Sequence, residues 1–556
     1  IAGYFGGTVD FDPGPGTANL TATGGLDAFV AKYNASGQYI WAIALNGSGT
    51  EVCRGIVVDA NGNVYVVGQF GSGNMDADPG AGTLMFTPLG AADGFVAKYN
   101  ASGGLVWAFP VGGSANVDDG LNAVKLDAGG NVVVAGHITG PGVDVDPGPG
   151  SVILNSNGTK DLFVAKYTAG GNYLWAKNAG GSSAELVYGM ALDNNGNIIL
   201  TGIFYNTADF DPGAGTANLT SVGAEDVFLA KYDASGNYQW AVGIGSPNQD
   251  LGSDIAIDDA GNVYATGSIR GTADFDPGPG VQNIGITGLI DGYLAKYSAS
   301  GAYLWAMSVG DDAKCVSSNA QGDVWVSGGF SSSNLDFDSG AGTALLSRVE
   351  GADLFLAKYN TSGVYQWAYQ LSGSSNEIGL GMAVQPNGNI WLVGQFQGAT
   401  DFDPGPGTTN LTNSNLPNID GFLAKYIDTE EAGGIELGGN GNPIPNRSMT
   451  PNPDNGTDYG SVMVGQSSSE VFALGNNSNS VPLNLTGFPL VTLAGQHASD
   501  FTVTALPSTP VAPGSGTTFN VQFQPGAPGY RWAIVIIVHD DYAENPFVFM
   551  VSGIGL

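Results

Sequence analysis

Seven short segments of this chain set two carboxylates one residue apart beside glycine. Asp-Phe-Asp-Pro-Gly-Pro-Gly begins at Asp10, Asp274 and Asp401, and close variants begin at Asp76, Asp144, Asp209 and Asp336. Two acids at that spacing, in a loop whose glycines free backbone carbonyls, suit a hard cation such as Ca²⁺, which takes roughly 6–8 oxygens. Asp, Pro and Gly are also ordinary turn residues, so the repeats are needed as a control. At the start of a second recurring turn the acid drifts, from Asp59, Asp127, Asp193 and Asp258 to Asn319 and Gln385. In the paired segment every acid stays Asp, although its middle Phe becomes Ala77 or Val145 and its Pro becomes Ser339. The candidate metal ligands are therefore Asp10, Asp12, Asp76, Asp78, Asp144, Asp146, Asp209, Asp211, Asp274, Asp276, Asp336, Asp338, Asp401 and Asp403. With no third acid nearby, these would be weak sites suited to extracellular calcium.

Other reactive residue types recur too regularly for catalysis. Lys32, Lys98, Lys166, Lys231, Lys296, Lys358 and Lys425 each stand in Ala-Lys-Tyr. A catalytic lysine is not needed seven times, so each is expected to pair with an acid of its own or an adjacent repeat, the loop aspartates included. The Trp-Ala pairs at Trp41, Trp107, Trp175, Trp240, Trp305 and Trp367 read as packing between repeats, with a glycan platform as the alternative. His137, His497 and His539 are too scattered for zinc. There is no Gly-x-Ser-x-Gly elbow and no phosphate-binding loop. A paired-carboxylate hydrolase needs two acids in unlike environments, and near-identical loops offer the opposite. The expectation is a protein that is not an enzyme.

The elements that must position these residues follow from the repeat. The copies are spaced 62 to 68 residues apart, and each reads as four strands. In the fourth copy these are Gly189 to Leu192, Ile198 to Phe204, Asp226 to Tyr232 and Tyr238 to Gly243, with the paired aspartates on a long loop between the second and third. Four antiparallel strands per unit describe a propeller blade, whereas stacked sandwiches need a unit nearer ~100 residues. The fold expected is all-β, a seven-bladed β-propeller over residues 1–430.

The Asp-x-x-Gly-Asn turn, Asp-x-Phe-x-Ala-Lys-Tyr and the following Trp-Ala resemble the SBBP-type β-propeller repeats of secreted bacterial proteins. From Ile435 the pattern changes. Gly439-Asn-Gly441, Asp458-Tyr-Gly460, Asp500-Phe501-Thr-Val503, Phe519 to Pro525 and Glu544-Asn-Pro546 resemble the choice-of-anchor D domain. That resemblance implies an immunoglobulin-like β-sandwich over 431–556, and the pairing is similar to surface proteins of Bacteroidota. The first unit starts at its second strand, and the seventh lacks a fourth after Tyr426. Gly434-Ile-Glu-Leu437 has about the right offset to supply that fourth strand.

Composition narrows the partners. Of 556 residues, 89 are Gly and 28 Pro, which fits many short strands joined by tight turns. A formal net charge of −34 repels phosphates and anionic lipid heads, disfavouring nucleic acid and membrane surfaces, and attracts divalent cations. No run of about 20 apolar residues is present to span a bilayer. Cys53 and Cys315 lie in non-adjacent repeats and are expected to remain unbridged. The leading expectation is a secreted or cell-surface structural or adhesive protein, stabilised by calcium, that self-associates as a fibre or surface layer or binds other surface proteins. The alternatives are a glycan- or protein-binding module and a polysaccharide-acting enzyme.

Overall fold

A computed structural model describes all residues except 72, 114–116, 287, 386–387, 406, 414–417, 429–434, 447, 478–481 and 540–545. Gly434, Glu544, Asn545 and the expected boundary at 430/431 thus lie outside the described residues. By internal contacts the chain divides into two units. One comprises Ile1–Ala383 with Leu392–Ala424, the other Val384–Trp391 with Lys425–Leu556.

In the first unit each repeat folds as expected from its turn chemistry. The second repeat forms strands Thr50–Val58, Val64–Gly71, Ala92–Tyr99 and Leu105–Val111, joined in that order in one antiparallel sheet. Its first turn is held by Asp59, whose Oδ1 accepts from the backbone N–H of Asn61 and of Asn63, both at 2.9 Å. Asn100 does the same for the last turn. There Gly103 has φ +84°, and the Trp41 ring of the preceding repeat stands 3.2 Å from where a Cβ would sit. Both the backbone and the neighbouring ring therefore require glycine.

The segment between the second and third strands is not a loose loop. In the fourth repeat, Ile198–Asp209 and Asn218–Tyr232 continue pairing to Asp209↔Asn218, making one long ribbon. In the second repeat the same ribbon is interrupted and reforms as Met75–Asp76 against Met85–Phe86. This hairpin also reaches the fourth strand of the preceding repeat, through Asn46↔Asp76, Gly180↔Asp209 and Ser372↔Asp401.

The core lies between consecutive sheets. One apolar cluster joins Tyr65 and Val67 of the second repeat to Val134 and Phe163 of the third, and another joins Ala135 and Val164 of the third to Leu200 and Phe228 of the fourth. The first unit is all-β, built of antiparallel sheets in propeller-type repeats. Cys53 and Cys315 are both buried and free.

In the second unit, five strands from Ile435–Gly439 to Gly516–Phe523 form one sheet, and four including Gly529–Ile537 and Phe547–Gly555 form another. The sheets share one core, in which Phe472 of the first meets Phe549 of the second at 5.3 Å between ring centres. Ile435–Gly439 corrects one expectation. It does not complete the seventh repeat but pairs with Ser468–Asn476 of this unit. The reason is burial, since Ile435 and Leu437 alternate into the second unit's core.

Candidate functional site

The structure places all fourteen paired aspartates on the hairpins and gives each pair the same bonds. Strand alternation sends Phe11 into the core and leaves Asp10 and Asp12 facing outward. Asp10 Oδ1 accepts from Asp12 N at 3.1 Å and, across the hairpin, from Ala18 N at 2.7 Å. Asp12 Oδ1 accepts from Gly14 N at 2.8 Å. The pattern repeats at Asp76 and Asp78, Asp144 and Asp146, and Asp209 and Asp211. It holds equally at Asp274 and Asp276, Asp336 and Asp338, and Asp401 and Asp403. These backbone donors hold the Asp10 carboxyl below the usual range. The Ala-Lys-Tyr tyrosine ties the hairpin down from inside, as Tyr99 donates to Ala77 O at 2.9 Å and Tyr232 to Phe210 O at 3.0 Å.

Where the Ala-Lys-Tyr lysines are seen to pair with acids, the acids are not those of the hairpins. Lys166, Lys231 and Lys296 pair with Asp127, Asp193 and Asp258, the turn residues of their own repeats, at 2.8, 3.0 and 3.6 Å. Strand register sets each lysine beside that turn, opposite Val133, Ile199 and Tyr264 near the start of the second strand. Where the turn acid has drifted to Asn319 or Gln385, Lys358 and Lys425 lie over the Trp325 and Trp391 rings at 5.0 and 5.4 Å. Lysine and tryptophan also act together on the next repeat. Lys32 Nζ and Trp41 Nε1 both donate to Ala101 O, at 3.3 and 3.0 Å, and Lys231 and Trp240 both donate to Ala299 O.

A second set of acids escaped the sequence reading. The Asp that opens each third strand meets, across the junction, an acid opening the next repeat's first strand. Asp27 faces Glu51, Asp93 faces Asp119, Asp161 faces Glu185, Asp226 faces Asp250, and Asp353 faces Glu377; all ten are buried. Burial, with the neighbouring carboxylate adding to it, pushes Glu51, Glu185 and Glu377 up to about 7. The legible signal was a Glu four residues after the glycine that ends three of the fourth strands, Gly47 to Glu51, Gly181 to Glu185 and Gly373 to Glu377. Among the described residues no three His, Cys, Asp or Glu gather as a metal cluster. A shallow groove of about 250 Å³ runs beside the second hairpin, lined by Leu20, Ala42, Asn46, Asp76 and Asp78 among others.

The chain is similar to two curated proteins. It is 26% identical over 496 residues to an uncharacterised WD repeat-containing protein of Acanthamoeba polyphaga mimivirus, covering 76% of this chain and 35% of that protein. With the repeated sheets already described, that likeness decides the architecture. The first unit is a β-propeller-type repeat array. The other relative, the regulatory protein FlaEY of Caulobacter vibrioides, is 26% identical over 414 residues, covering 69% of this chain and 42% of its own length. The chain thus spans less than half the length of either. No family model matches. Among solved structures, a protein of unknown function from Bacteroides caccae aligns with 66% of this chain and 93% of its own at 8% identity and a TM-score of 0.30. One from Porphyromonas gingivalis aligns with 42% and 90% at 12% identity and a TM-score of 0.17.

Proposed function

We propose that this chain is a non-enzymatic extracellular structural or adhesive protein, a seven-bladed β-propeller of the SBBP type followed by an immunoglobulin-like, choice-of-anchor D-type sandwich. The observation that carries this reading is that the side chains best able to do chemistry make the same inter-strand and inter-repeat bonds copy after copy. The hairpin aspartates staple their own hairpins, and lysine with tryptophan clamps the following repeat. A scaffold uses such groups identically, whereas an active site needs one copy to differ.

Leu89, Val222 and Val349, each four residues before the junction Asp of its repeat, are exposed. Such apolar side chains on a strongly acidic chain suit contact with another copy or another surface protein. In this reading the outward oxygens of the hairpin aspartates are weak calcium ligands that moderate the −34 charge. The test is sedimentation velocity of the whole chain in millimolar calcium and again in excess EGTA. Large particles in calcium that shrink in EGTA support a calcium-dependent assembly. A sharp monomer in both removes assembly and leaves the glycan- or protein-binding module, to be sought on a glycan array.

A further inference from the structure

We propose that three junctions between consecutive repeats each bind one divalent cation of the calcium class, held between a buried Asp and a buried Glu: Asp27 with Glu51, Asp161 with Glu185, and Asp353 with Glu377. This goes beyond the scaffold reading and does not depend on the surface hairpins.

The first observation is unmet bonding capacity. Asp27 Oδ1, both carboxyl oxygens of Glu51, Glu185 Oε1, Asp353 Oδ1 and Glu377 Oε2 are buried with no hydrogen-bond partner. All these side chains are at most 1% exposed. The other oxygens have donors, Thr23 N for Asp27, Gly181 N for Glu185, Val349 N for Asp353 and Thr400 Oγ1 for Glu377, but each buried oxygen left without one is costly to ionise, and a facing carboxylate adds repulsion. Among the described residues, none of the six forms an ion pair within 4 Å, although Arg348 lies near enough to Asp353 to favour its charge.

The second observation is an internal comparison. Where the incoming acid is Asp rather than Glu, backbone groups satisfy it. Asp119 accepts from Gly113 N and Thr139 N at 3.0 and 2.7 Å, and Asp250 accepts from Ser246 N, Ser246 Oγ and Arg270 N. Asp311 accepts from the backbone and hydroxyls of Ser331 and Ser332. The shorter side chain stays among its own donors. Where it is Glu, at most one oxygen is met, Glu185 Oε2 by Gly181 N at 2.9 Å and Glu377 Oε1 by Thr400 Oγ1 at 2.8 Å, and the other is left without a donor.

The third observation is a space reserved for those carboxyls. At Gly180, a Cβ would fall 2.8 Å from Asp161 Oδ1 and closer still to Glu185 Oε2, so both acids converge on one point. Glu51 fills the Cβ position of Gly47, and Glu377 that of Gly373. The paired donors are all carboxylate oxygens, and two ionised carboxylates carry a charge of −2. That chemistry selects Ca²⁺ over zinc or copper, with carbonyls or water completing the shell. A proton shared between the two carboxyls is the competing way to settle each pair.

The probe is Ca²⁺ on the full chain, exchanged from millimolar calcium into metal-free buffer at pH 8 and assayed by elemental mass spectrometry. Close to three retained ions per chain are expected, and fewer than one overturns the proposal. The triple variant Glu51→Gln, Glu185→Gln, Glu377→Gln should lose those ions, whereas Glu350→Gln, at an exposed acid outside both sets, should keep them. A triple variant that retains the wild-type count overturns it. If that variant fails to fold, thermal unfolding of the wild type decides: calcium should raise the midpoint well above equal magnesium, and equal midpoints with and without calcium would assign the pairs to a shared proton instead.

Discussion

Single side chains in this molecule act mainly by occupying backbone donors. Asp209 Oδ1 holds two, Asp211 N and Ala217 N. Asp209→Ala should destabilise by about 1 kcal/mol, the usual net worth of such bonds, whereas Asp209→Asn keeps an acceptor and should cost clearly less. Thermal midpoints of the two variants measure this, and equal losses would mean that charge, not acceptance, is what the position requires. The same residues show how far the sequence could be read. That the paired aspartates recur between the second and third strands was legible, because Asp, Pro and Gly recur at fixed spacing, but the expected long loop is a paired hairpin. Why the middle residue drifts among Phe, Ala and Val was not. Phe210, Ala77 and Val145 all point into the core, so the position selects for burial rather than for turn chemistry. The junction acids were missed for a different reason, since the Gly-to-Glu spacing was legible but the contact it serves was not. Glu51 meets Asp27 only because two repeats pack together, and no local pattern announces an inter-repeat contact.

At the level of strands and turns, the recurring unit is a clamp rather than a blade edge. The third-strand lysine bonds its own turn acid and the next repeat's turn carbonyl, and the fourth-strand tryptophan bonds that same carbonyl. Lys231 and Asp193 are both nearly buried, so Lys231→Met should cost about 3 kcal/mol by leaving Asp193 an uncompensated charge. Adding Asp193→Asn, which retains the turn's acceptor, should recover much of that loss. A double variant no better than the single would show that the lysine stabilises through its stem and the Ala299 bond instead. The sequence indicated that these lysines pair with acids but left both hairpin and turn open. Strand register settles the matter, since Lys231 lies opposite Ile199 and beside the turn at Asp193. The replacement strand expected at 434–437 failed on a similar point. Its offset suited the seventh repeat, but its alternating Ile435 and Leu437 found a better apolar surface in the second unit.

For the whole molecule, the decisive quantity is how a chain of net charge −34 tolerates acids at its repeat junctions. In metal-free solution the folded chain holds Glu51, Glu185, Glu377 and Asp119 up to about 7 and Asp226 up to about 6, against 4.5 for a free Glu and 3.8 for a free Asp. Between those limits the folded state binds more protons than the unfolded one, so stability must fall as pH rises from about 4.5 to about 7 and then level off. Surface repulsion acts in the same direction, but salt separates the two causes. About 0.5 M NaCl screens exposed charges within a few ångströms and leaves buried pairs largely unscreened. The expected result in EGTA is therefore a thermal midpoint that drops between about pH 5 and 7 and keeps most of that drop in high salt. In millimolar calcium the drop should shrink, because a bound cation replaces the proton as the neutralising charge. A midpoint in EGTA that rises over this range would show that the junction acids ionise without penalty, and it would remove the physical reason for a cation between them.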